Sequence, residues 1–485
     1  MGTINVTTTG VVISPYKRGQ AVLLETSTAV YEKITHSLVS TTGFYIKELN
    51  IFIVYKMNIE KLKAWFPDYD VVEIPPYGMT FRHDIQMKPE FELRPYQRDV
   101  INKIISSNKY ETFLNVPTAS GKTVMGIWYS VFTKSRTLIM CFSTKILDQW
   151  KQSILQLTTA KEKNIAYFST KLLDDILDGK KDVSNVEFFL TTPNMITSYA
   201  KNRGYDSLAE IMKKLQIGLK ICDEAHRNIG AIVKLNALTS CKKTLYMSAD
   251  FNRGSRYARD QFFNVFHHVQ KVTLKDEEMQ KMRHIVAIIC RYNSKPDPID
   301  RNTICKGQYK WSHIEYAKYQ FNNNITESKV TKILNKILPE EEGHKPHYKT
   351  LILLYLIDHV ESLYKTLSDL YKGRFTVGRY HSGMTKEEKQ EALKCDIIVS
   401  IYGSFSTGVD VTDPEIRHVI STIPVDEVSI NQSAGRCRPI KGRMSFLWVL
   451  YDQAFDFCSH NKSKISKYLI NSKVLNVLEK DIEEI

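Results

Sequence analysis

Between residues 90 and 250 short apolar runs alternate with helical segments, and this alternation limits the fold more than any other feature of the chain. The runs are "TFLNV", "TLIMCF", "VEFFLTT", "LKICDE" and "TLYMSA". Stretches this short and apolar are strands, and strands separated by helices build a parallel sheet with helices on its faces. A second series follows about a hundred residues later, with "TLILLYL", "FTVGRYH", "CDIIVSIY", "HVISTI" and "SFLWVLYD". The predicted class is therefore α/β, with two similar parallel-sheet units in tandem. Each run of the first series ends in polar or small residues, and a parallel sheet places its ligands at the carboxyl ends of its strands.

Residues 1–88 read differently. They hold strand-like stretches in "AVLLETSTAVYEKI" and "FYIKELNIFIVYKM", then the amphipathic "NIEKLKAWF" and the Pro-rich "EIPPYGMTFRHDIQMKPEF", which reads as a linker. The predicted organisation is a small α+β accessory domain at 1–88, a first parallel-sheet domain at 89–258, a second at 259–460, and a C-terminal helical tail at 461–485. A length of 485 residues allows two or three such domains.

Charge and cysteines narrow the classes. The formal net charge is +14; residues 1–90 are balanced at nine basic and nine acidic, so the excess belongs to the two α/β units. Such an excess favours a polyanionic partner. The eight cysteines form no CxxC pair, which fits reduced thiols and argues against a disulfide framework or a zinc site. No apolar stretch approaches the roughly 18 residues that cross a bilayer, and "LILLYLI" at 351–357 fits a buried strand. The start "MGTINVTTTG" lacks a secretory signal, and Val6 stands where a Met-Gly lipidation pattern needs serine or threonine.

After "TFLNV" comes "PTASGKTVMGIWYSV", a turn leading into an apolar-periodic helix. Backbone amides at such a helix start face phosphates, Lys122 reaches the β/γ oxygens, and the Thr123 hydroxyl joins Mg²⁺. Thr118, Ser120 and Gly121 complete this candidate ATP loop. The full GxxxxGK[ST] pattern would place glycine at 116, where the chain has Val116. About a hundred residues on, Asp223 and Glu224 end the run "LKICDE". A pair so placed divides the work: Asp223 holds Mg²⁺ and Glu224 orients and deprotonates the attacking water. The bland alternative is a solvated acidic strand end.

In this order the motifs resemble a superfamily 2 helicase or translocase, which implies two tandem RecA-like domains. "LRPYQRD" at 93–99 is similar to the adenine-recognising segment, with Gln97 the adenine contact. "PTASGKT" resembles motif I, "FSTKILDQW" Ia, "TTPNM" Ib, "DEAH" II, "MSAD" III, "LYLIDHVESL" IV, "SIYGSFSTGVDV" V and "NQSAGRCRP" VI, over about residues 90–455. Finer details, in "SIYGSFSTGVDV" and "SFLWVLYD", look most like phage UvsW-type recombination helicases acting on branched DNA.

The resemblance implies roles residue by residue. Arg436 is the arginine finger and Arg438 a second candidate, one residue early for QxxGRxxR. Asp250 departs from the threonine that usually ends motif III. Ser143, Thr144, Lys145, Thr192, Ser404 and Thr407 would contact strand phosphates. His226, Ser248, Gly408 and Gln432 would couple ATP state to the strand, with Asp410 at the nucleotide. The implied activity is ATP-dependent DNA unwinding or translocation on forked or branched DNA, in host-cell cytoplasm if phage-encoded, with no membrane partner. Alternatives are an RNA helicase, a duplex translocase that does not unwind, or a nucleic-acid-binding regulator with an impaired ATP site. The segment "YKWSHIEYAKYQFNNN" at 309–324 mixes aromatics with bases and could stack on nucleotides or face a core.

Overall fold

Among the described residues the predicted alternation folds as two sheets of seven strands, every pairing within them parallel. The computed structural model describes residues 3–7, 10–14, 43–46, 51–55, 59–117, 120–227, 229–248, 266, 269–306, 311–342, 347–405, 415–423, 425, 427–437, 439–440, 442–458, 462, 465–466, 469 and 474–485. They fall into two units, 1–274 and 275–485.

The first unit opens with a small sheet of β1 (Thr3–Val6), β2 (Gly10–Ser14), β3 (Gly43–Ile46), β4 (Ile51–Tyr55) and β5 (Asp70–Glu73), in the order β3-β4-β2-β1-β5. Helix α1 (Ile59–Trp65) gives Leu62 to its core of Ile4, Val11, Ile13 and Phe66. Next comes α2 (Pro95–Ile105), started by proline at its first position and burying Tyr96, Val100, Ile101 and Ile104 at helical spacing. The main sheet contains β6 (Glu111–Asn115), β7 (Thr137–Met140), β8 (Ile165–Tyr167), β9 (Phe188–Thr191), β10 (Leu219–Asp223), β11 (Lys243–Ser248) and β12 (Gln270–Thr273). Its principal helices are α3 (Lys122–Thr133), α4 (Thr144–Leu157), α5 (Pro193–Arg203) and α6 (Ile229–Leu238). Strands β7 and β9 are buried at every residue, as expected when helices cover both faces.

Helix α6, "IGAIVKLNAL", is apolar nearly all round, which requires cover on more than one side. The small N-terminal sheet supplies it: Thr7 Oγ1 donates to the Asn236 carbonyl at 2.8 Å. The Pro-rich segment expected as a linker is a strap instead. It crosses the amino ends of the strands through Tyr77–Cys241, Thr80–Ser135 and Met87–Thr158 bridges. Glu187, fully buried, accepts from the Arg82 and His83 backbone amides. The first unit also runs beyond the expected boundary at 258, because β12 adds to β6 as an edge strand.

The second unit contains β13 (Ile285–Tyr292), β14 (Lys349–Leu354), β15 (Val377–Tyr380), β16 (Ile397–Ile401), β17 (Ile416–Ser421), β18 (Ser445–Asp452) and β19 (Val474–Asp481). Helices used below are α7 (His313–Asn322), α8 (Ile325–Glu342), α9 (Ile357–Leu370), α10 (Tyr402–Phe405) and α11 (Glu427–Ala434). Residues 461–485 are not a helical tail throughout, since β19 pairs in parallel with β13 over 474–481. Its mostly exposed pattern is that of an edge strand, which carries little apolar signal. When the strands of each seven-stranded sheet are numbered from that sheet's own first, both sheets run 7-1-6-5-2-4-3. The tandem RecA-like reading is therefore a true duplication of topology. No helix among the described residues is long and apolar enough to cross a membrane.

Candidate active site

In the first unit the phosphate loop leaves the carboxyl end of β6 and enters α3. Gly121 caps that helix at φ 82°, and a Cβ there would lie 2.3 Å from Gln97 Nε2. The left-handed backbone is what favours glycine here, and the Gln97 amide fills the space beside it. Gln97 donates to the Ser120 carbonyl at 3.0 Å, as does the Tyr96 hydroxyl at 3.0 Å, and Gln97 Oε1 accepts from the Arg94 amide. The residue expected at adenine is thus engaged in holding the loop. Ser120 donates to the Pro117 carbonyl at 2.7 Å, and Lys122 Nζ reaches back to the Val116 carbonyl at 3.4 Å. Val116 has no positive φ and is buried, so this fold needs no glycine there. Thr123 lies in the first turn of α3; Thr118 is outside the described residues.

Asp223 ends β10, two strands from β6 in the sheet. Its Oδ2 accepts from Trp150 Nε1 at 3.0 Å and its Oδ1 from the Glu224 amide at 3.0 Å. Trp150 comes from α4 and is buried against Gly126 of α3, where a Cβ would lie 2.8 Å from its ring. Withdrawal from water, then the neighbouring Glu224, push the Asp223 carboxyl up to about 6; Lys122 and the two hydrogen bonds pull it down. Glu224 itself is held at φ 49°, a conformation that side chains rarely adopt. The strain, on the order of 1–3 kcal/mol, is locked by Ala225 N–H to the Met247 carbonyl and Arg227 N–H to the Glu224 carbonyl. Two adjacent carboxylates, one of them reluctant to ionise, with Lys122 as the near cation, are a donor set suited to a hard divalent ion such as Mg²⁺.

His226 Nδ1 lies 2.6 Å from Ser248 Oγ and 3.3 Å from Glu224 Oε2, joining the ends of β10 and β11. Further along the same sheet edge, Ser143 caps α4 by accepting from Ile146 N–H, and Thr192 caps α5 by accepting from Met195 N–H. Both expected phosphate contacts therefore also have a capping role, while each hydroxyl keeps its own hydrogen to donate. Thr144 and Lys145 occupy the first turn of α4.

Sequence reading missed Trp150, Phe142 and Arg227. The Arg227 guanidinium sits over the Phe142 ring at 5.1 Å from its centroid. An indole N–H within a buried helix has to find an acceptor, and that rule was the available signal for Trp150.

The second unit places different chemistry in the same slots. After β13 comes Asn293-Ser294 rather than a glycine loop, and Ser294 N–H donates to Asp452 at 3.1 Å. After β17 the Thr422 hydroxyl donates to the Leu353 carbonyl at 2.8 Å. Gln432 lies on α11, Arg436 in the turn after it, and Ser404 on α10. Thr407, Gly408, Asp410 and Arg438 are outside the described residues.

Residues 90–253 match the family model described as Type III restriction enzyme, res subunit. That span contains α2, the phosphate loop, both carboxylates and Ser248. The chain is 29% identical over 193 residues to the general transcription and DNA repair factor IIH helicase/translocase subunit XPB of Enterocytozoon bieneusi, covering 37% of this chain and 31% of that protein. The corresponding subunit XPB/SSL2 of Saccharomyces cerevisiae is 27% identical over 189 residues, covering 37% and 22%. The match thus spans less than a third of either relative. Saccharomyces cerevisiae Dbp5, solved bound to RNA and ADP BeF3, shares the fold over 80% of this chain and 90% of its own, with TM-score 0.50 and 12% identity. The loop and the carboxylate pair both lie within the span that is similar to the restriction-enzyme res subunit, and the chain is also similar to these XPB helicase/translocase subunits.

Proposed function

We propose that this chain is an ATP-driven DNA helicase or translocase that tracks one strand and acts on forked or branched DNA, in phage replication, recombination or repair. The observation that carries the reading is the convergence of Lys122, Asp223 and the backbone-strained Glu224 on one edge of the first sheet. The +14 charge favours a polyanionic partner, and the DNA repair factors among the relatives favour DNA over RNA. The branched-substrate assignment rests on motif V and the UvsW-type resemblance.

Phosphoryl transfer needs positioning and charge more than covalent chemistry. Lys122 moves from the Val116 carbonyl to the β/γ oxygens, and the α3 amides face the phosphates. Thr123 and Asp223 would hold Mg²⁺, which when bound supplies charge against the phosphates. Glu224 orients the attacking water and takes its proton on a carboxylate oxygen. His226, between Glu224 and Ser248, carries that change toward the end of β11. Arg436 adds positive charge during transfer, and Asp410, Gly408 and Gln432 belong to the coupling. Strand contact falls to the backbone-reading groups Ser143, Thr144, Lys145, Thr192, Ser404 and Thr407.

The test compares ATP hydrolysis and unwinding on forked DNA, four-way junctions, linear duplex and RNA duplex. Expected are DNA-stimulated hydrolysis, its loss in Lys122→Ala, and greatest unwinding on branched DNA. Equal activity on RNA overturns the DNA assignment. Binding of forked DNA without stimulated hydrolysis overturns the motor and leaves a regulatory binder. Stimulation by linear duplex with no strand separation favours the pure translocase, a reading supported by the "helicase/translocase" names of the relatives.

A further inference from the structure

Because both sheets share one strand order, the exit from the second strand of one unit has a counterpart in the other. In the first unit the chain leaves β7 through Cys141 and Phe142 to Ser143, the N-cap of α4. In the second it leaves β14 through Tyr355 to Leu356, the N-cap of α9. Phe142 and Tyr355 therefore occupy one topological position, the residue before the cap. An apolar residue there often packs back on the first turn of its helix. These two rings instead stay 44% and 38% exposed.

Each ring is braced from one side. Arg227, next to the carboxylate loop, covers Phe142 at 5.1 Å. His313 lies nearly parallel to Tyr355, with centroids 5.6 Å apart and an 18° interplanar angle. Trp311 lies against His313 with centroids 3.7 Å apart at a 34° tilt, and is itself stacked on Phe457 at 4.0 Å and 9°. Tyr355 is thus the outer rung of a four-ring ladder. Tyr316 and Tyr319 of the same aromatic segment go to the core, so only its first part builds this ladder. A ring fixed in orientation yet left in solvent is a platform. Both platforms lie at the carboxyl ends of their strands, the edge that also carries Ser143 and Thr192 in one unit and Ser404 in the other.

We propose that Phe142 and Tyr355 are nucleobase-stacking steps, one in each unit, for bases of a single strand. The inference rests on the helicase reading above and extends it from backbone contacts to the bases. Every base offers a π face, so such steps grip a strand without reading its sequence.

The experiment measures binding of the full chain to a labelled oligothymidylate and to an abasic strand of the same length. The wild type is expected to prefer the base-bearing strand. Phe142→Ala and Tyr355→Ala should each weaken that binding on the order of tenfold while leaving abasic affinity unchanged, which also controls for folding. Phe142→Trp and Tyr355→Trp should restore it. Phe132→Ala, exposed by 52% on α3 away from this edge, should bind like the wild type. Equal wild-type affinity for both strands, or a loss in the alanine variants that is the same on both, overturns the stacking steps and leaves the helicase reading standing. Absence of any strand binding by the wild type overturns both.

Discussion

The two units share a strand order but treat buried charge in opposite ways. In the first, Asp223 and Glu224 sit side by side at the carboxyl edge, one pushed up to about 6 and the other in a left-handed backbone conformation. In the second, Glu341 of α8 is fully buried and paired with Arg417 of β17, while His418 Nε2 lies 3.5 Å away and His418 Nδ1 accepts from Trp448 Nε1. Burial alone would raise the Glu341 carboxyl, but hydrogen bonds from His418 and Arg417 overcome it and hold it below the ordinary range. Burial likewise holds His418 below its usual value. One cluster is arranged against stability and the other for it. The same topology can therefore carry a site or a clamp, depending on whether its charges are left for a ligand to satisfy.

One type of substitution should separate the two. Glu224→Gln is expected to lower ATP hydrolysis roughly 10²–10⁴-fold while raising the melting temperature, since it removes the charge beside Asp223. A variant that loses activity and stability together would show that Glu224 supports the fold. Glu341→Gln is expected to do the reverse in the second unit. It removes the buried carboxylate from Arg417, which keeps only the exposed Glu340 at 3.7 Å, at a cost of about 3–5 kcal/mol readable by denaturant unfolding, and any loss of hydrolysis should follow the loss of folded protein. Unchanged stability there would break the contrast.

The smallest effect is in the pH dependence, and its sign differs between units. Without metal, the folded Asp223 keeps its proton to higher pH than the unfolded chain, whose carboxyl titrates near ~3.9. The first unit is therefore expected to lose stability as pH rises from about 4 to about 6. Trp150→Phe should carry that loss to higher pH, because the indole N–H lowers the Asp223 value. His418 and Glu341 are both held low, so the second unit should lose stability as pH falls through ~6.5 and then ~4.3. Melting curves on each unit's signal across this range check both signs.

Much of this was legible in the sequence. The strands of both sheets announce themselves as short apolar runs, and the glycine, lysine and threonine of the phosphate loop follow β6 directly in the chain. Three things were not. Strand β19 has too little buried surface to leave an apolar pattern. The strap at 73–91 looks like a linker, because its order comes from bridges to residues more than 50 positions away. Trp150 reads as an ordinary helix residue until folding brings Asp223, 73 positions on, within hydrogen-bond reach.

By itself the sequence determined the α/β class, the tandem repeat, the candidate phosphate loop and the acidic pair, since each is written in local periodicity or in neighbouring residues. Only the tertiary structure decided the shared 7-1-6-5-2-4-3 order, the strain at Glu224, the raised Asp223 and the matching exposure of Phe142 and Tyr355. Those depend on pairing and desolvation between residues distant in the chain, which no local pattern of side chains encodes.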